Sequence, residues 1–95
     1  MSPIAKQLYD FFDSTEKWTQ QAFARNAAGL GIDPFDPSAT CWCLLGAAEK
    51  LNLTCPPDLS WQEFINRFHK VTTTSMVAFN DTTNFNTLKK TLNEL

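Results

Sequence analysis

The side chains best equipped for chemistry are three cysteines, Cys41, Cys43 and Cys55, and the sole histidine, His69. Cys41 and Cys43 resemble half of a metal site, but they fall in a stretch that reads as helix. Two residues apart on a helix they point about 200° from each other and cannot share one ion. Cysteine nucleophilic catalysis would need His69 as the activating base, and no catalytic motif frames any of the three thiols. The favoured reading is buried structural thiols, with His69 as a cation near a helix end. The chain also has no glycine-rich phosphate loop, no pair of histidines at metal spacing and no G-x-S-x-G elbow, so no catalytic residue, metal or cofactor is expected.

A second constellation is polar. Trp18, Thr19, Gln20, Arg25, Asn26, Asn80 and Asp81 each lie in or beside an aromatic segment. Trp18, Gln20, Arg25, Asn80 and Asp81 could bind a small polar ligand, Arg25 contacting an anion and Trp18 stacking on a ring. The structural alternative is an Arg25–Asp81 pair that fastens residues 14–35 to a late turn, with Asn80 and Asp81 bonding the backbone as turn residues do. A third set is acidic: Asp10, Asp13 and Glu16, with Asp33, Asp36 and Glu94 elsewhere, would face a basic protein partner and set the rate and specificity of encounter.

The elements that must position these residues show in the periodicity. Ser2 before Pro3 reads as an N-cap with proline at the first helical position, and Ile4, Leu8, Phe11 and Phe12 give residues 3–13 one apolar face. Residues 14–35 are ambiguous between a short hairpin at 20–32, turning at Asn26-Ala27-Ala28-Gly29, and a second short helix. Asp36-Pro37 repeats the cap signal, and the run Ala39 to Ala48, apolar nearly all round, predicts a central enclosed helix over 37–52. Within it Gly46 weakens a helix by about 1 kcal/mol, which makes sense where another element crosses closely.

Cys55-Pro56-Pro57-Asp58 ends that helix. Ser60 and Glu63 then form a capping box for a helix at 61–70, whose face is Trp61, Phe64, Ile65 and Phe68. Ser75 to Phe79 fits a capped helical turn or a brief strand, Asn80 to Thr83 reads as a turn, and a last amphipathic helix from about 84 carries Phe85, Leu88, Leu92 and Leu95. The expected fold is therefore mainly α, or α+β: one domain over 1–95 with about four helices around the 37–52 helix.

Composition bounds the function. The 95 residues are 43% hydrophobic and 19% charged, which suits one folded core and argues against disorder. Net charge is −2, and the cations are scattered from Lys6 to Lys90, so no basic stripe is present to release counterions from nucleic acid. No secretory leader or membrane-spanning run is read, and the odd cysteine count fits a reducing cytoplasm.

Three segments taken together, Trp18-Thr19-Gln20-Gln21-Ala22-Phe23-Ala24-Arg25-Asn26-Ala27-Ala28-Gly29, Trp42-Cys43-Leu44-Leu45-Gly46-Ala47 and Phe79-Asn80-Asp81 with Thr83, resemble a family of short bacterial and phage proteins without an assigned activity. The likeness covers about residues 6–95. It departs from the family's pattern at Gln21, where glycine is common, at Asn26 for aspartate, at Phe79 for tryptophan, and in a shorter turn after Asp81. The resemblance implies a cytoplasmic accessory protein, in some cases phage-borne, and phages often carry small acidic inhibitors of host machinery. The expectation is a non-enzymatic protein-binding module, with small-ligand binding or sequestration as the alternative.

Overall fold

A computed structural model describes residues 1–54 and 60–95. Among them five helices surround a small antiparallel sheet: α1 Pro3–Phe11, α2 Leu44–Lys50, α3 Ser60–Thr72, α4 Met76–Thr82 and α5 Phe85–Glu94, with β1 Ala24–Asn26, β2 Gly31–Ile32 and β3 Ala39–Trp42 in spatial order β2-β1-β3. A 3-10 turn at Thr15–Lys17 leads into the sheet.

The helix starts follow the local chemistry. Ser2 accepts from the Ala5 amide with Pro3 in the first turn, Ser75 accepts from Ala78, and Asn84 accepts from Thr87. Each satisfies an amide that the helix itself cannot. At the other end of α1 the cap comes from far away: Lys89 Nζ donates to the carbonyls of Tyr9 and Phe12 at 2.6 and 2.7 Å and lies 3.7 Å from the centre of the Tyr9 ring. A cation there suits the helix dipole and ties α5 to α1. Burial nevertheless pulls the Lys89 pKa below its ordinary value, with Asp10 and Asp13 pulling the other way.

One core holds these elements together. Leu8 from α1 and Phe12 at its C-cap, Ala24 from β1, Leu44 and Ala47 from α2, Phe68 from α3, and Leu88 and Leu92 from α5 are all buried within it. The radius of gyration is 12.5 Å, close to the roughly 12–13 Å of a compact chain of this length. Among the described residues no helix is long and apolar enough to cross a membrane.

The hairpin reading holds, and the sheet extends it. Ala24 faces Ile32 and Arg25 faces Gly31. The turn is closed by the Asn26 side chain, which accepts from Ala28 and Leu30, and by Gly29 at φ +81°, a conformation glycine adopts without penalty.

The helix expected at 37–52 is corrected. Its first part is strand β3, paired with β1 through Ala24–Trp42, Arg25–Cys41 and Asn26–Ala39, and only Leu44–Lys50 is helical. An apolar run does not distinguish a buried helix from a buried strand, and here the unpaired edge of β1 decides it. Trp42 points inward, its ring edge-on to Phe11 at 5.1 Å and its indole N–H donating to the Pro34 carbonyl at 2.9 Å. The helix start read at Asp36-Pro37 is corrected with it, since these residues form a turn before β3. Asp36 accepts from the Ser38 amide and hydroxyl in a turn, which holds its carboxyl below the usual range.

The turn expected at Asn80 to Thr83 is corrected as well, since α4 runs on through Thr82. The helix count rises from four to five among the described residues. The stop signal at Cys55 to Asp58 lies outside the described residues, and α3 begins at Ser60 itself.

Gly46 shows why α2 sits where it does. A Cβ at this position would lie 2.0 Å from the Phe23 carbonyl oxygen and 2.8 Å from its carbon. That carbonyl also accepts from the Cys43 amide at 3.1 Å. The chain entering β1 thus lies directly against the first turn of α2, and neither backbone can yield. We expect Gly46→Ala to lower stability by about 2–3 kcal/mol in chemical denaturation, through overpacking, although in an open helix the same change would raise it by about 1 kcal/mol. A neutral or stabilising result would contradict this packing.

Candidate functional site

The polar constellation does assemble, and its centre is Asn80. This side chain is 1% exposed and has all of its hydrogen-bonding capacity filled. Its Oδ1 accepts from the Trp18 indole at 2.6 Å and from the Leu44 amide at 2.9 Å. Its Nδ2 donates to the Thr19 carbonyl at 3.1 Å and to Asp81 Oδ1 at 3.2 Å. An amide with two acceptor sites and two donors can do no more.

Around this centre the segment 18–21 is tied to α4 along its length. Gln20 Nε2 donates to the carbonyls of Asn80 and Thr83, both at 2.9 Å, and the Gln21 amide donates to Asp81 at 2.8 Å. Gln21 holds φ +64°, a left-handed conformation that costs a non-glycine residue about 1–2 kcal/mol. The same residue gives its amide to Asp81.

Arg25 belongs to the same assembly but not in the expected pair. Its guanidinium donates to Thr19 Oγ1 at 3.0 Å, the Gly29 carbonyl at 2.8 Å and the Gln20 carbonyl at 3.2 Å. The Arg25–Asp81 ion pair is therefore replaced by two separate ties to residues 19–21, Arg25 from the hairpin and Asp81 from α4. Trp18 is likewise engaged: its ring lies against Phe85 at 6.1 Å, and its backbone bridges to Trp42.

Cys43 completes the junction. It is the N-cap of α2, its Sγ accepting from the Gly46 amide at 3.2 Å. Burial is the main cause that pushes its pKa up, which works against the thiolate that reactivity needs. Cys41 lies on β3, its thiol 3.9 Å from the Arg25 carbonyl. The helix on which the two thiols were expected is thus a strand followed by a helix cap, and Cys41 is half-buried where Cys43 is buried. Cys55 lies outside the described residues. Among the described residues no three His, Cys, Asp or Glu side chains gather as a metal would require.

Two members of the acidic set are paired within the chain. Asp10 pairs with Lys6 at 2.9 Å and Asp13 with Lys17 at 3.4 Å, both as exposed i, i+4 pairs. Glu16 is exposed on the 3-10 turn between them and the sheet. With Lys89 also among them, Asp10, Asp13 and Glu16 form a mixed-charge face, and such exposed pairs add little stability.

What the sequence reading missed is apolar. Phe23 and Val77 are 50% and 49% exposed. Together with Cys43 and Asp81 they line a cleft of about 260 Å³ beside the Asn80 junction. Hairpin register carries a signal for Phe23: Ala24 must turn inward to pack, so its neighbour turns out. The chain matches no family model, no curated protein and no solved structure.

Replacing Asn80 by alanine would leave the buried Leu44 amide and the Trp18 indole N–H without acceptors. At about 1–3 kcal/mol for each abandoned donor, we expect a loss of about 3–5 kcal/mol in denaturant midpoint analysis. Arg25→Ala, on the exposed side of the same assembly, should cost about 1–2 kcal/mol and keep the fold. Equal losses from both variants would remove Asn80 from its central role.

Proposed function

We propose that the protein is a small non-enzymatic protein-binding module. The observation that carries this reading is a contrast within one region. Trp18, Gln20, Arg25, Asn80 and Asp81 direct their polar atoms at each other and at nearby backbone, while Phe23 and Val77 present large apolar surface beside them. Exposed apolar surface next to a rigid, satisfied framework is the usual composition of a binding face.

The ligand-binding alternative requires Trp18 free to stack and Arg25 free to hold an anion. The indole N–H, the ring face toward Phe85 and all three guanidinium nitrogens already have partners. Inhibition of a host or defence complex is the sharper form of the proposal, and it comes with the resemblance to short bacterial and phage proteins.

The test is capture with the tagged protein from a bacterial lysate, analysing both co-purifying proteins and any small molecule released on denaturation. A protein retained in stoichiometric amount is the expected result. A released small molecule with no protein partner would overturn the proposal.

A further inference from the structure

A broad apolar depression lies between α3 and α4 and meets the cleft beside Asn80 at Val77. Leu45, Trp61, Ile65, Phe68, Met76 and Val77 supply its apolar wall, and it encloses about 730 Å³. Two of these wall residues belong to a chain of rings that continues behind it: Trp61 stacks on Phe64 at 5.6 Å, Phe64 meets Phe68 at 6.1 Å, and Phe68 meets Phe79 edge-on at 5.3 Å. Aromatic neighbours locked in this way hold their shape while a partner packs against them.

The charge around this groove is not that of the chain. The sequence has ten carboxylates against eight cations, yet among the described residues no carboxylate lines the groove. The titratable side chains that do are His69 and Lys70, both exposed in the last turn of α3. Val77 is shared between this groove and the cleft beside Asn80, so the apolar surface continues past the groove's end.

We propose that the α3–α4 groove docks an amphipathic helix of a partner protein, its apolar side chains seated between Ile65 and Val77 and its acidic side chains facing His69 and Lys70. A trough between two helices with an apolar floor suits a third helix, whose anchors recur at i, i+3, i+4 and i+7. Lys70, in a groove that no carboxylate lines among the described residues, selects an acidic partner and speeds its encounter. This assignment rests on the protein-binding reading and names its surface and the chemistry of the partner.

The test uses two fluorescein-labelled amphipathic helical peptides with the same Leu and Ile face, one with a glutamate polar face and the other with lysine. In fluorescence anisotropy at low salt, the full chain should bind the glutamate peptide at least about tenfold more tightly. Lys70→Glu should reverse that preference. Val77→Asp, at a half-exposed position whose change leaves the core intact, should remove binding, with circular dichroism confirming the fold of both variants. Equal affinity for the two peptides, no binding of either, or a preference untouched by Lys70→Glu would overturn the proposal. The two levels separate in lysate capture: a partner retained equally by both variants would dismiss the groove and leave the module reading standing, whereas no partner for the unaltered chain would dismiss the reading itself.

Discussion

The rest of the structure depends on one buried amide. Asn80 joins three stretches of chain that are far apart in sequence: the loop at Trp18 and Thr19, the start of α2 at Leu44, and its own helix α4 at Asp81. A polar side chain at 1% exposure is tolerated only when each of its polar atoms is satisfied, because the low dielectric that strengthens these bonds also raises the cost of a missing one. The constraint therefore acts in both directions. Trp18, Thr19 and Leu44 fix the Asn80 side chain, and Asn80 fixes where the loop and α2 begin.

The first turn of α2 shows how tightly this is specified. A seven-residue helix has little intrinsic stability and relies on its ends and its packing. Its leading amides are met from different places: Leu44 by Asn80, Gly46 by the Cys43 sulfur, while Cys43 itself donates to Phe23. Only glycine at position 46 lets the Phe23 backbone come so close. The short sheet in turn is held on its outer side by the Thr19 amide bonding to the Trp42 carbonyl, so residues 18 and 19 link the sheet edge to α4. Hairpin, central helix and α4 form one mechanical unit, and α1, α3 and α5 close the core around it.

Features set by near neighbours are legible in the sequence. Ser2-Pro3, the Asn26 to Gly29 turn and the spaced Phe64 and Phe68 describe elements whose causes lie within a few residues, and these agree with the structure. Residues 37–43 are misread because their apolar run suits an enclosed helix as well as a paired strand, and the pairing partner, β1, lies in another part of the chain. Asn80 to Thr83 has the composition of a turn, yet Asn80 is held in a helix by partners 36 and 62 residues away. The members of the polar cluster could be gathered from their aromatic neighbours. Their connections could not, since Arg25 and Asp81 each grip the 19–21 segment without gripping each other. The apolar clefts at Val77 were hidden for the same reason: one depends on how α3 meets α4 and the other on how the chain at Phe23 meets α4.

A framework satisfied internally leaves its surface free for recognition, and the functional proposal follows from that division between a rigid junction and apolar faces beside it. The central claim is the junction itself, and hydrogen exchange followed by NMR in the unaltered protein measures it most directly. If Asn80 holds both donors, the Trp18 indole N–H and the Leu44 amide should exchange as slowly as the amides of the α1 and α5 core, opening only in global unfolding. Exchange of either proton on the timescale of the exposed Ala27 amide would contradict the account.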